Sequence, residues 1–148
     1  MLWAMNVRPY RPADREAVLS LWQRAFGYPE ARNRPERVLD DKLALDDGLL
    51  LVAEHEARLL GTILAGYDGH RGWLYRAAVL PESRGQGTGR ALVQAAEAEL
   101  RARGCAKINL QTHADNTEAV RFWARLGYLE EARVSMGKTL EGDNDGGC

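Results

Sequence analysis

Cysteine is scarce in this chain: Cys105 and Cys148 are the only two among 148 residues. Two thiols so placed build neither a disulfide framework nor a four-ligand zinc site, and a reducing cytoplasm is the default expectation. Long apolar runs are missing as well. No stretch reaches the roughly 18 residues of a membrane span, and Met1-Leu2-Trp3-Ala4-Met5 lacks the positive cap and apolar core of a signal peptide. A soluble protein is expected, with residues 1–5 read as an N-terminal extension and Met5 an equal candidate for the natural start, which would leave residues 1–4 as the extension. An excess of charge of one sign is also absent. Twenty Lys and Arg stand against 21 Asp and Glu, a formal net charge of −1. Nothing in that balance points to nucleic acid or a membrane surface as partner, so the basic groups act locally if at all. No segment repeats, and the length fits one domain, 1–148, that buries about two-thirds of its unfolded surface.

What is present is a glycine-rich turn, Arg84-Gly85-Gln86-Gly87-Thr88-Gly89-Arg90, between the apolar run Trp73 to Leu80 and the Ala/Leu-rich run Ala91 to Leu100. A chain that leaves a strand through such a turn and enters a helix leaves its first helical N–H groups without carbonyl partners. Glycine lets an anion approach them, the helix dipole favours negative charge there, and two arginines stand beside it. The turn reads as a phosphate seat. It is not a nucleoside triphosphate P-loop, because no Gly-Lys-hydroxyl sequence holds β-phosphate and Mg²⁺. A dinucleotide fingerprint would need glycine at position 90 and an early place in a βαβ unit. What remains is Arg-x-x-Gly-x-Gly, Arg84 to Gly89, followed downstream by Asn116-x-x-Ala119-x-x-Phe122-Trp123-x-x-x-Gly127-Tyr128.

Periodicity supplies the frame around it. Val7 to Tyr10 is a short extended piece closed by Pro12. From Asp14 as N-cap, Val18, Leu21, Trp22 and Ala25 recur at helical spacing, and Arg37 to Leu45 repeats the pattern through Val38, Leu39, Leu43 and Leu45. Leu49 to Glu54 and Leu59 to Tyr67 flank a polar turn as a hairpin, and the Asp68 to Gly72 turn leads into a third strand, Trp73 to Val79. His70 and Arg71 read as turn residues rather than a site. The helix Thr88 to Arg103 follows, with Leu92, Ala96 and Leu100 on one stripe and Gly104 as its stop. Lys107 to Thr112 alternates as a strand parallel to the third. Asp115 to Glu118 resembles a capping box for a short helix to Arg125. Tyr128 to Arg133 and Val134 to Leu140 alternate as two closing strands, and 141–148 reads as a disordered polar tail. The fold class is α/β, a mixed, mostly antiparallel sheet with about four flanking helices.

The two motifs at this spacing resemble those of GNAT-type N-acetyltransferases, over about Val7 to Leu140. The Gly66-Tyr67-Asp68-Gly69-His70-Arg71-Gly72 turn is similar to that of a bacterial subgroup of the family. The resemblance implies acetyl-CoA as co-substrate, with its pyrophosphate on Arg84, Gly85, Gln86, Gly87, Thr88, Gly89 and Arg90, and with Asn116, Phe122 and Trp123 flanking the pantetheine arm. It further implies that the third and fourth sheet-forming segments splay apart, leaving Ala77, Ala78 and Val79 to contact pantetheine and acetyl, with a backbone N–H near Val79 polarising the thioester carbonyl. A donor of that kind is worth ~10²–10³ in rate where one has been removed. No metal and no covalent enzyme intermediate are implied, and Cys105 reads as a small buried hydrophobe.

Two positions depart from the family pattern. Some members carry a glutamate five residues before the asparagine, where this chain has Gln111, which cannot take a proton. An amine with a pKa of about 10.4 must lose one before attack. Glu54, His113 and Asp115 are the nearest titratable groups in the sequence and none has a specific claim. Many members place a tyrosine at position 123 to protonate the departing thiolate, and Trp123 offers an N–H that orients sulfur without supplying an acid. Tyr128 reads as core strand. Two functions follow: direct acetyl transfer to a primary amine, small or peptidic, by a cytoplasmic monomer or homodimer, or a CoA-binding sensor that has lost the catalytic pair.

Overall fold

Leu49-Leu50-Leu51-Val52-Ala53 is apolar without alternation, as a strand covered on both faces must be. In the computed structural model, which describes residues 4–27, 29 and 31–141, it lies in β2 (Leu50–His55), inside a five-stranded sheet. The order is β1 (Asn6–Pro9), β2, β3 (Arg58–Tyr67), β4 (Gly72–Val79), β5 (Ile108–Leu110). The first three pairings are antiparallel and the β4–β5 pairing is parallel, as the helix inserted between those two strands requires.

Alternation along β2 sorts its side chains. Leu50 and Val52 join Val18, Leu21 and Trp22 of α1 (Arg15–Phe26) and Leu39 of α2 (Pro35–Leu45) in one core, which Leu64, Ala78 and Leu80 complete. The opposite face receives α3 (Thr88–Ala102), whose Leu92, Val93, Ala96 and Leu100 are buried. α3 comes close to the sheet where glycine leaves room. A Cβ on Gly61 would meet Leu92 Cδ1 at 3.0 Å and the Ala78 carbonyl oxygen at 2.7 Å.

The buried faces of α1 and α2 differ in part from the periodic reading. Ala25 is exposed, and so are Leu43 and Leu45, because α2 turns Pro35, Leu39 and Lys42 inward at helical spacing instead. The lysine is tolerated there because its stem is apolar and its ammonium donates to the Ala65 carbonyl and, at 2.8 Å, to Asp47. Asp14 stands at the start of α1 without capping it. Its carboxylate accepts from the Arg8 guanidinium at 2.8 and 3.0 Å and from the Arg11 N–H at 2.8 Å, and the Arg8 contact foremost holds it below the usual carboxylate range. A partner 6 residues back outcompetes the local cap.

Residues Met1–Leu110 and Gln111–Cys148 form two compact units. The second contains α4 (Thr117–Arg125), and Gly127, at φ 95°, follows it. Its remaining described residues contain no strand, so the two closing strands expected from Tyr128 to Leu140 are not formed. Alternation was a sound signal, but a strand exists only through a partner's ladder bonds. Here Leu129 and Met136 are 80% and 90% exposed. The expected tail beyond Glu141 lies outside the described residues. No described helix is long and apolar enough to cross a membrane.

Candidate functional site

β4 is the strand on which the site is built. Its parallel pairing with β5 covers Gly72, Trp73 and Leu74 and stops at Leu110. From Tyr75 to Val79 the ladder pairings of the strand among the described residues are with β3. The Leu80 N–H donates to the Leu60 carbonyl at 2.8 Å across that β3 edge, so alternation turns the Val79 N–H the other way, to the side on which β5 has ended. Ala77 is exposed, Val79 half-buried and Ala78 packed into the α1 core. The backbone of Ala77 to Val79 thus lies beyond the last β4–β5 ladder pair, where the splay was expected.

A bulge sets this geometry. Thr62 faces Ala78 and Leu64 faces Tyr75, so Arg76 and Ala77 together oppose Ile63 alone. Arg76 carries φ 49°, a left-handed value uncommon for a side-chain-bearing residue. A hydrogen-bond chain fixes it: Trp22 Nε1 donates to Thr62 Oγ1 at 2.8 Å, and the Thr62 hydroxyl donates to the Arg76 carbonyl at 3.0 Å. Trp22 and Thr62 are fully buried, so the indole and hydroxyl have no water to turn to.

Immediately downstream, Pro81–Ser83 makes one 3-10 turn and the glycine turn begins. Gly87 is the N-cap of α3 at φ 83°, and the first bond of that helix runs from the Ala91 N–H to its carbonyl. The N–H groups of Thr88, Gly89 and Arg90 precede that bond and lack intrahelical partners. The cap residue Gly87 has no side chain to bond them, and beyond the chain neighbours no atom of the described residues lies within 4 Å of where a Cβ on Gly85 or Gly87 would sit. Arg84, Gly85, Gln86, Gly87 and Arg90 are exposed. The acidic neighbour Glu82 is committed to Arg58 at 2.7 Å and Arg24 at 3.4 Å, so it does not neutralise the turn. The Thr88 hydroxyl is buried without a partner among the described residues. Open N–H groups, free cationic side chains and empty space in front of glycine fit a phosphorylated ligand.

In the second unit, Asn116 is the N-cap of α4, its Oδ1 accepting from the Ala119 N–H at 3.0 Å. Asp115, expected as that cap, is one residue too early. The cap uses the carbonyl end of the Asn116 side chain and leaves its amide N–H groups as donors. Trp123 is half-buried, edge-on to Phe122 at 5.1 Å and to Tyr128 at 5.3 Å. Tyr128 thus joins an aromatic cluster instead of a strand. Gln111 donates from Nε2 to Ser135 Oγ at 2.6 Å.

The titratable residues weighed as bases fare differently. Glu54 accepts from Arg8 Nε at 2.6 Å in a largely buried pair, which excludes it as a free base. His113 and Asp115 are exposed. At the other end of β4, the Asp68 carboxylate accepts from the N–H groups of Arg71 and His70, each at 2.8 Å, which holds it below the usual range. The Gly66 to Gly72 segment is thus occupied in forming its turn. Among the described residues no three His, Cys, Asp or Glu side chains gather as metal ligands. Sequence reasoning missed Trp22, Thr62 and Arg76 as a unit, because a bulge and its buried bracing leave no spacing to read.

Comparison with known proteins adds a family and a fold. The profile described as "Acetyltransferase (GNAT) family" matches residues 15–128. Among solved structures, Ard1 from Thermoplasma volcanium aligns at TM-score 0.78 and 24% identity, over 88% of this chain and 86% of that one. AAC(6')-Iy in complex with the bisubstrate analogue CoA-S-monomethyl-acetylneamine aligns at 0.75 and 21%, over 93% and 99%. The ribosomal-protein-S18-alanine N-acetyltransferase of Escherichia coli aligns at 0.70 and 24%, over 86% and 79%.

Proposed function

On the premise that the chain belongs to the acetyltransferase (GNAT) family as an N-acetyltransferase, we propose that it transfers acetyl from acetyl-CoA directly to a primary amine. The observation that carries this is the end of β4, where the Val79 N–H faces the unpaired side of the strand and the glycine turn follows at once. In this reading the pyrophosphate rests on the Arg84 to Arg90 turn and the α3 N-terminus. Ala77 and Ala78 take the pantetheine, and the Val79 N–H donates to the thioester carbonyl oxygen as it gains charge. Asn116, Phe122 and Trp123 line the pantetheine arm by resemblance.

The neutral amine attacks the carbonyl carbon, a C–N bond forms, the C–S bond breaks and CoA leaves as thiolate. The ammonium proton passes to solvent water; Gln111 is an amide, and the Glu54 carboxylate is engaged by Arg8. A thiol of pKa about 8.5 leaves tolerably as an anion, so a missing general acid at position 123 costs toward the low end of ~10²–10⁴. The Gly66 to Gly72 turn supports placement in the bacterial subgroup that shares it, and cysteine scarcity supports a cytoplasmic enzyme.

A panel of small primary amines and peptides assayed for CoA release tests the proposal. Turnover well above buffer hydrolysis with at least one acceptor is expected. Tight acetyl-CoA binding without turnover on any amine would overturn it in favour of the sensor.

A further inference from the structure

Half-buried charges in proteins are normally paired, because desolvating an ion without a counter-ion is costly. Arg76 breaks that rule. Its guanidinium lies 4.8 Å from the Phe26 ring centroid and 5.7 Å from that of Trp22, so α1 flanks it with aromatic surface. One of its five N–H groups donates to the Asn33 carbonyl at 3.2 Å. Among the described residues no carboxylate pairs with it. Burial alone moves its pKa, downward from the ordinary arginine value, with no anion opposing. By contrast, Arg8, Arg15, Arg24, Arg58 and Arg103 all have carboxylate partners.

The backbone is bent to hold it there. Arg76 is the bulge residue at φ 49°, braced through Thr62 and Trp22, so the molecule maintains a disfavoured conformation under a cation that has no carboxylate partner among the described residues. It stands three residues before Val79 on the strand, at most about 10 Å away along it. Its side chain lies with α1, on the face of β4 that also carries Ala78.

We infer that Arg76 binds a carboxylate on the acceptor, so that the enzyme acetylates small amino acids or other amine-bearing carboxylic acids. The inference rests on the acetyltransferase reading, which places the reacting thioester at Val79. A planar guanidinium with free N–H groups matches a carboxylate in a two-pronged contact. A carboxylate held within about 10 Å of Val79 along the strand leaves room for a short carbon chain to carry its amine to the acetyl group. Arg76 contributes binding and orientation; the bond-making step is the one already described.

The test compares kcat/KM for pairs of acceptors that differ only in the anion: 4-aminobutyrate with 4-aminobutanamide, lysine with lysinamide, and glutamate-free peptides with amidated C-termini as neutral controls. In the wild type the acids are preferred. In Arg76→Gln the acid-to-amide ratio falls about 10- to 100-fold, the size of a lost charge-assisted hydrogen bond, while the KM for acetyl-CoA stays unchanged. Arg76→Lys, which keeps charge but not the fork, recovers part of the ratio and serves as the deciding variant if Arg76→Gln does not fold. An equal loss for acids and amides would mean that Arg76 only braces the bulge and would overturn the inference. Turnover restricted to neutral amines or peptides would overturn it too, leaving the acetyltransferase intact. Acetyl-CoA binding with no turnover on any acceptor would defeat both.

Discussion

An anion approaching residue 87 meets backbone N–H groups with open space in front of the glycine and two arginines beside it, which makes the turn's chemistry a matter of single residues. Arg84→Ala removes one of two exposed charges there and should weaken acetyl-CoA binding about 10-fold, the loss of one charge-assisted contact. Gly87→Val should weaken it further, since it forces a β-branched side chain to φ 83° and fills the space in front of the N–H groups. Titration calorimetry reads both, and unchanged affinity in the pair would remove the turn from the site. At position 123, Trp123→Tyr installs a group of pKa about 10 able to protonate the thiolate. It should hold or raise kcat and add an alkaline limb to the pH profile. A fall in kcat with acetyl-CoA affinity intact would show that the indole walls the acyl group. The turn was legible in the sequence because it is local, its glycines, arginines and helix start lying within seven positions. Arg76 was not. Its importance depends on Thr62, Trp22 and Asn33, which lie between 14 and 54 positions upstream.

Among the elements, β4 depends most on its neighbours. Gly61 of β3 lies under the strand where Ala78 and Val79 pass, and a Cβ there would press the Ala78 carbonyl oxygen, which is backbone and cannot rotate aside. Gly61→Ala should therefore displace β4 at the end where the thioester is proposed to bind. The expected result is a loss of stability of about 1–3 kcal/mol, typical of overpacking, together with a fall in kcat larger than the change in acetyl-CoA affinity. Urea unfolding and steady-state kinetics on one preparation separate these, and a stable variant with wild-type kcat would show that the position of Val79 is not held from below. The frame of β1 to β4, α1 to α3 and the parallel return to β5 was legible because each piece carries its own period or turn chemistry. The bulge was not, since its one extra residue leaves the apolar pattern of β4 intact. Nor could alternation alone settle Tyr128 to Leu140. Helical residues find hydrogen-bond partners within their own segment, whereas a strand must borrow a neighbour's ladder, and these described residues form no strand.

For the molecule as a whole, the question is whether acetyl passes through the protein or straight to the amine. A covalent route needs a nucleophile at the thioester, and cysteine is the strongest available at neutral pH. Cys105 is the cysteine among the described residues, and its thiol lies over the beginning of β4: a Cβ on Gly72 would meet Sγ at 2.9 Å. Gly72 and Val79 are the two ends of that strand, roughly 20 Å apart at about 3.3 Å per residue. The thiol also donates to the Lys107 carbonyl at 3.3 Å, as a structural group does. Direct transfer within a ternary complex is therefore the prediction to test. Initial-velocity plots with both substrates varied should intersect, Cys105→Ala should keep the wild-type kcat, and enzyme mixed with acetyl-CoA alone should retain no acetyl group by intact-mass spectrometry. Parallel plots with an acetylated cysteine would place the chemistry elsewhere than Val79. The net charge of −1 leads to a matching expectation for the first step. With no net positive charge to attract a polyanionic substrate, its capture relies on the turn's own charges, so the KM for acetyl-CoA should rise with ionic strength in the wild type and rise less in Arg84→Ala. An identical salt response in both proteins would mean that Arg84 does not meet the anion.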